Sequence, residues 1–91
     1  MKVIWKFGFS IDDGQDIVMP KGAELLHVDT QGASLCIWAL VDPDASKMRR
    51  RIYVRGTGHH LEEAENAKYV NTFQTNGGMF VWHVFDGGER A

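Results

Sequence analysis

YVNTFQTNGGMFVWHVFD, residues 69–86, is a β-hairpin written in sequence. Asn76-Gly77 supplies the two residues of positive φ that a type I′ turn requires, and Gly78 leaves room for a three-residue variant with a bulge. With Asn76 and Gly77 as the turn, Phe73 faces Phe80, Asn71 faces Trp82 and Tyr69 faces Val84, which gathers the rings of Tyr69, Phe73, Phe80 and Trp82 on one side of the ribbon. That side is expected to be core. The other side carries Gln74, Met79, Thr72, Val81, Val70, His83 and Phe85, a mixed surface that meets a second layer at its His83 and Phe85 end and water near the turn. A lone hairpin is marginal in water, so the rest of the chain must supply strands to cover the aromatic face.

Working outward, the other strands announce themselves by period-two alternation. Residues 2–9 place Val3, Trp5, Phe7 and Phe9 on one face and Lys2, Ile4, Lys6 and Gly8 on the other. After the Asp12-Asp13-Gly14 turn comes a short extended piece, residues 15–19, closed by Pro20 and therefore expected at a sheet edge. Residues 24–30 and 33–41 read as a second hairpin around Gln31-Gly32. The return strand is apolar on both faces and so is the candidate central strand. Asp42-Pro43-Asp44 breaks it, and residues 48–55 form a further strand with Arg50, Ile52 and Val54 on one face and Arg49, Arg51, Tyr53 and Arg55 on the other. Residues 61–68 have the composition of a short helix, and residues 87–91 are expected to fray. The pattern predicts a mainly β fold, a small antiparallel sheet forming a partly open barrel or two-layer sandwich with at most one short helix. The alternative is α+β, with that helix packed on a sheet.

The 91 residues, 44% of them hydrophobic, suffice for one core and predict a single domain over residues 1–91. A formal net charge of −2 argues against a surface built wholly to grip nucleic acid, though not against a local basic patch. The single cysteine, Cys36, excludes an intrachain disulfide and a multi-cysteine zinc site. No apolar run reaches membrane-spanning length and the first residues lack a signal-peptide pattern, so a cytoplasmic location and no membrane partner are expected.

Few residues suggest chemistry. Gly56-Thr57-Gly58 follows a strand but lacks the third glycine and long helix of a dinucleotide fingerprint and the Gly-Lys-Ser/Thr ending of a P-loop, so a bend is the simpler reading. His59 and His60 are adjacent without further ligand spacing, and His27 and His83 sit within strands, so no metal and no cofactor are expected. Cys36 lies in the apolar LCIWAL run, where a thiol behaves as a small hydrophobe. The basic stripe is different. Arg49, Arg51, Tyr53 and Arg55, continued by Gly56, Thr57, Gly58, His59 and His60, could receive phosphate, carboxylate or an acidic protein patch, because arginine forks bind such groups bidentately. The competing reading is a charged edge strand that blocks sheet-to-sheet aggregation.

The pieces MPKGAELLHVD at residues 19–29, WALVDP at 38–43, the Gly56-Thr57-Gly58-His59 bend, and TFQTNGGMFVWHVF at 72–85 resemble a family of small uncharacterised proteins encoded by tailed bacteriophages and prophages. The resemblance implies phage origin and a host-cytoplasm setting, and it carries over no catalytic residues. The leading expectation is a non-enzymatic accessory binding protein that engages or inhibits a host protein with an acidic surface, with an anti-defence role. The alternative is a nucleotide or nucleic-acid binding module using the basic strand; a third reading is a small metal-dependent hydrolase built on His59 and His60. A small edge-bearing β domain with Trp5, Trp38 and Trp82 to cover is also expected to form a two-fold homodimer.

Overall fold

Two antiparallel sheets face each other in the computed structural model, which describes residues 1–90. The strands are β1 (Val3–Gly8), β2 (Gly14–Pro20), β3 (Glu24–Gln31), β4 (Ser34–Val41), β5 (Lys47–Gly56), β6 (Lys68–Thr75) and β7 (Phe80–Arg90). One sheet runs β1-β4-β3 and the other β2-β5-β7-β6. The fold is thus mainly β, a two-layer arrangement without barrel closure. As the apolar run on both its faces predicts, β4 is central in its sheet, and β2 with its terminal Pro20 lies on an edge. The helix expected over residues 61–68 is a single 3-10 turn, Glu62–Asn66, too short and too polar on its exposed side to propagate as an α-helix.

The interior is filled by alternate residues of both sheets. Val28 and Ile37 from one layer meet Ile52, Val54, Phe73 and Val84 from the other. Met19, Ala23, Ala39 and Val41 continue the core toward one end, and Phe7, Ile17 and Leu25 touch both groups. Two bulges set the inward faces. One between Leu25 and His27 lets Leu25 and Val28 both reach the core while His27 turns outward to lie 6.3 Å from the Trp38 ring. The other, between Tyr69 and Asn71, removes Tyr69 from the core face and sets it edge-on to Phe85 with centroids 5.7 Å apart.

The hairpin of residues 69–86 forms, but in a longer-looped register. Phe73 pairs with Trp82 and Thr75 with Phe80, two residues away from the pairing expected from a two-residue turn. The loop takes Asn76, Gly77, Gly78 and Met79, and Asn76, Gly77 and Gly78 all adopt positive φ. A shift of two preserves the faces, so Phe73 is buried and Trp82 packs on the core as expected. Phe80, by contrast, stays 45% exposed and lines a cavity with the bend at Gly56.

Where β3 and β6 meet, no ladder joins the two sheets. The Asn71 side chain does so instead: Val28 N–H donates to Asn71 Oδ1 at 2.7 Å and Asn71 Nδ2 donates to Val28 O at 2.7 Å. One amide thereby satisfies both backbone groups of a fully buried residue. The opposite side, between β1 and β2, is the open one, with each an edge of its sheet.

The tail also differs from expectation. Through Arg90 it continues β7 alongside β5, while Ala91 lies outside the described residues. Its anchor is Arg50, 6% exposed. Arg50 Nη1 donates to Asp86 Oδ2 at 2.8 Å, Nη2 donates to Ala23 O at 2.6 Å, and Nη2 lies 3.6 Å from Glu89 Oε2, which itself accepts Gly22 N–H at 2.6 Å. Opposite charge at residues 50, 86 and 89 was readable; that the fold would bring these groups together was not.

Candidate functional site

β5 is interior to its sheet, flanked by β2 and β7, so its arginines do not guard an edge. Alternation does put Arg49, Arg51, Tyr53 and Arg55 on the face turned away from the core, as the sequence predicts, but they do not act as one surface. Arg55 is 3% exposed. Its Nη1 donates to Asp13 O at 2.5 Å and Val54 O at 3.1 Å, its Nε is 3.2 Å from both His60 O and Leu61 O, and its Nη2 meets Glu63 Oε1 at 3.2 Å. The guanidinium also stands 5.6 Å from the Tyr53 ring centroid. Its donors are thus committed to main-chain carbonyls that need them, and Arg55 clamps the 61–66 segment onto the sheet instead of facing a ligand. The expectation that it receives an anion is corrected on that ground.

The other end of the strand is different. Arg51 Nε lies 3.0 Å from Asp16 Oδ1 and Arg49 Nη1 is 3.8 Å from Asp16 Oδ2, while Arg90, the register partner of Arg49, donates through Nη2 to the Tyr53 hydroxyl at 3.2 Å. Two guanidinium groups therefore share one carboxylate on the outer sheet face, with Arg90 in register beside Arg49. The backbone passes close beneath them: a Cβ on Gly87 would stand 2.7 Å from Tyr53 Cε2 and 2.9 Å from Arg51 Cγ.

At the Gly56 end, the bend folds back on itself. His59 N–H donates to Gly56 O at 3.1 Å, Gly58 takes a φ of +88°, and Thr57 N–H reaches Val81 O at 3.3 Å. The His59 ring fills the space where a Gly56 side chain would sit, with Cε1 only 2.9 Å from an ideal Cβ. Between this bend and the start of β7 is a cavity of about 310 Å³ whose walls include Gly56, Thr57, His59, Met79, Phe80 and Trp82. Met79 is 74% exposed, and the Phe80 and Trp82 ring centroids lie 6.2 Å apart. On the sheet face beside it runs a chain of hydroxyls and one imidazole: Thr57 Oγ1 to His83 Nε2 at 2.7 Å, His83 Nδ1 to Thr72 Oγ1 at 2.8 Å, and Thr72 Oγ1 to the Tyr69 hydroxyl at 2.6 Å.

The segment singled out from sequence thus divides. Arg49 and Gly56 are separated by seven residues of strand, roughly 23 Å at about 3.3 Å per residue. Thr57 and His59 meet the hairpin tip, His60 instead lines a separate cavity of about 520 Å³ with Leu61, Glu62 and Glu65, and Gly58 shapes the bend. Among the described residues no three His, Cys, Asp or Glu side chains converge as a metal site would require. Cys36 is buried. No helix among the described residues is long and apolar enough to cross a membrane.

Met79, Phe80, Arg90 and Thr72 were not singled out as site residues from sequence, and Thr57 was singled out without its pairing to His83. Met79-Phe80 did carry a signal, since two large apolar residues directly after a glycine turn lie at a tip that a second layer rarely reaches. The partners of His83 carried none, because Thr57 is 26 residues away in the chain and Thr72 is 11. No curated protein and no solved structure matches the chain. A family model described as a domain of unknown function, DUF7352, matches residues 1–91, and the chain therefore belongs to that family.

Proposed function

We propose that this protein is a non-enzymatic binding module, an accessory protein of phage type that engages a host protein through the hairpin tip and the Gly56 bend. The observation that carries the reading is the exposure of Met79 and Phe80, 74% and 45%, on the rim of an apolar-walled cavity. Methionine and aromatic side chains at the centre of an interface supply much of its energy, and a rim of this kind receives an apolar anchor from a partner. Inhibition of a host defence component is the biological setting that the phage resemblance suggests for such a module.

A second reading has its own observation. Arg49 and Arg51 meet the carboxylate of Asp16, and Arg90 stands in register beside Arg49, so basic side chains concentrate where an anionic group such as a nucleotide phosphate or an acidic protein patch could dock. The two readings separate in one experiment. Immobilised protein is used to retain partners from bacterial lysate, with Met79→Ser/Phe80→Ser and Arg49→Ser/Arg51→Ser as parallel baits. Loss of a retained protein with the first bait and its persistence with the second supports the apolar site. The reverse pattern, with retention falling steeply as salt rises, assigns recognition to the arginines, and equal retention by both baits refutes both surfaces.

A further inference from the structure

We propose that Asn76-Gly77 is a site of spontaneous covalent modification, at which the Asn76 side chain closes on the Gly77 nitrogen and its amide is lost as ammonia. The conversion does not depend on what docks at the hairpin tip. Asn76, Gly77, Gly78, Met79 and Phe80 form an unbroken run of exposed residues. Asn76 takes a φ of 54° and Gly77 one of 66°, and the Asn76 side chain makes no hydrogen bond among the described residues. A Cβ built on Gly77 would meet nothing within 4 Å, so no neighbour crowds the residue whose nitrogen must attack, and it has no side chain of its own to screen it. Ring closure requires the backbone at Asn76 to turn, which two following glycines at an exposed loop tip allow.

The chemistry is complete within the chain and water. The Gly77 nitrogen loses its proton and bonds to Asn76 Cγ, forming a five-membered imide as the Cγ–Nδ2 bond breaks and ammonia leaves. Water then opens either imide carbonyl. Opening at the side-chain carbonyl leaves aspartate at residue 76. Opening at the main-chain carbonyl leaves an isoaspartyl linkage that runs through Cβ, with a free carboxylate at the former main-chain carbon.

The fold shields the other two asparagines. Asn71 Oδ1 accepts Val28 N–H and Nδ2 donates to Val28 O, each at 2.7 Å, and the next residue is the β-branched Thr72. After Asn66, the Ala67 nitrogen that would attack already donates to Ala64 O at 3.1 Å. The consequence of reaction at Asn76 is local charge. Residues 69–85 contain no Asp, Glu, Lys or Arg, and conversion places there a carboxylate that is ionised at neutral pH. In the isoaspartyl product it arises at the carbonyl that accepts Met79 N–H at 3.2 Å. The tip that bears Met79 and Phe80 is thus neutral in the chain as made and anionic after conversion.

To test this, the intact folded chain is held in warm, mildly alkaline buffer and followed by intact mass, ion-exchange chromatography and peptide mapping. A short unstructured peptide containing Thr-Asn-Gly-Gly in the same buffer sets the time scale. By the time the peptide has converted, the protein is expected to show the mass gain of amide-to-acid exchange and an acidic shift, mapped to Asn76 as aspartate plus isoaspartate. N76Q is expected to lose the signal, because its longer side chain would have to close a larger, slower-forming ring. N76D is expected to carry the product mass from the outset and to accumulate isoaspartate through the same imide. An unchanged mass in the folded protein overturns the proposal, as does a gain that maps to Asn66 or Asn71 or that persists in N76Q.

Discussion

Replacing Asn71 with alanine should destabilise the protein far more than its half-exposed position on β6 suggests. Its amide is the one side chain that occupies both backbone groups of Val28, at 2.7 Å each, where β3 and β6 face each other without a ladder. Val28 is fully buried, so the substitution leaves an N–H and a C=O without partners. An orphaned buried group costs about 1–3 kcal/mol, and partial entry of water at the seam brings the pair to about 2–4 kcal/mol. A chain of this length has about 5–14 kcal/mol in all, so the loss is a large share. Urea denaturation should show a lower midpoint with an unchanged slope, and the thermal midpoint should fall by roughly 10–25 °C. Asn71→Asp discriminates further, because it keeps the acceptor for Val28 N–H but turns a carboxylate toward Val28 O; it should be no better than alanine above neutral pH. A loss below about 0.5 kcal/mol for Asn71→Ala would refute the amide as the seam between the sheets.

Arg50→Ala should cost about 3–5 kcal/mol in the same denaturation assay, since it strands Asp86 and Glu89 without their buried partner. Arg49→Ser/Arg51→Ser should change stability by no more than about 1 kcal/mol, because these pairs with Asp16 are partly solvated. Gly87→Ala should be destabilising by at least about 1 kcal/mol, as its methyl group would stand 2.7 Å from Tyr53 Cε2. Chelator and reductant should leave the melting midpoint unmoved, and a fall with chelator would reveal a metal contribution.

Period-two alternation, proline and glycine placement, and the doubly apolar run of residues 33–41 were enough to read a mainly β chain, its central strand and its proline-closed edge. These are local properties: a strand's faces and breaks depend on neighbouring residues and the steric limits of glycine and proline. The hairpin's register was misread by two because Asn76, Gly77 and Gly78 can all take positive φ, and which loop length wins depends on how Trp82 and Phe73 pack across the core. Bulges at Leu26 and Val70 are likewise invisible in a pattern, although the second decides that Tyr69 lies beside Phe85 and not in the interior.

The basic strand carries the same lesson for the site. The sequence by itself placed Arg49, Arg51, Tyr53 and Arg55 on one face, and alternation required it. Only the tertiary structure decided that Arg55 would be spent on the carbonyls of Asp13, His60 and Leu61, that Arg49 and Arg51 would share Asp16, and that Thr57 and His59 would meet Met79 and Phe80. Each of those outcomes depends on partners far apart in the chain. A guanidinium has the same charge and the same five donors whether it faces solvent or a ring of main-chain oxygens, and only the path of the surrounding backbone distinguishes a clamp from a binding site.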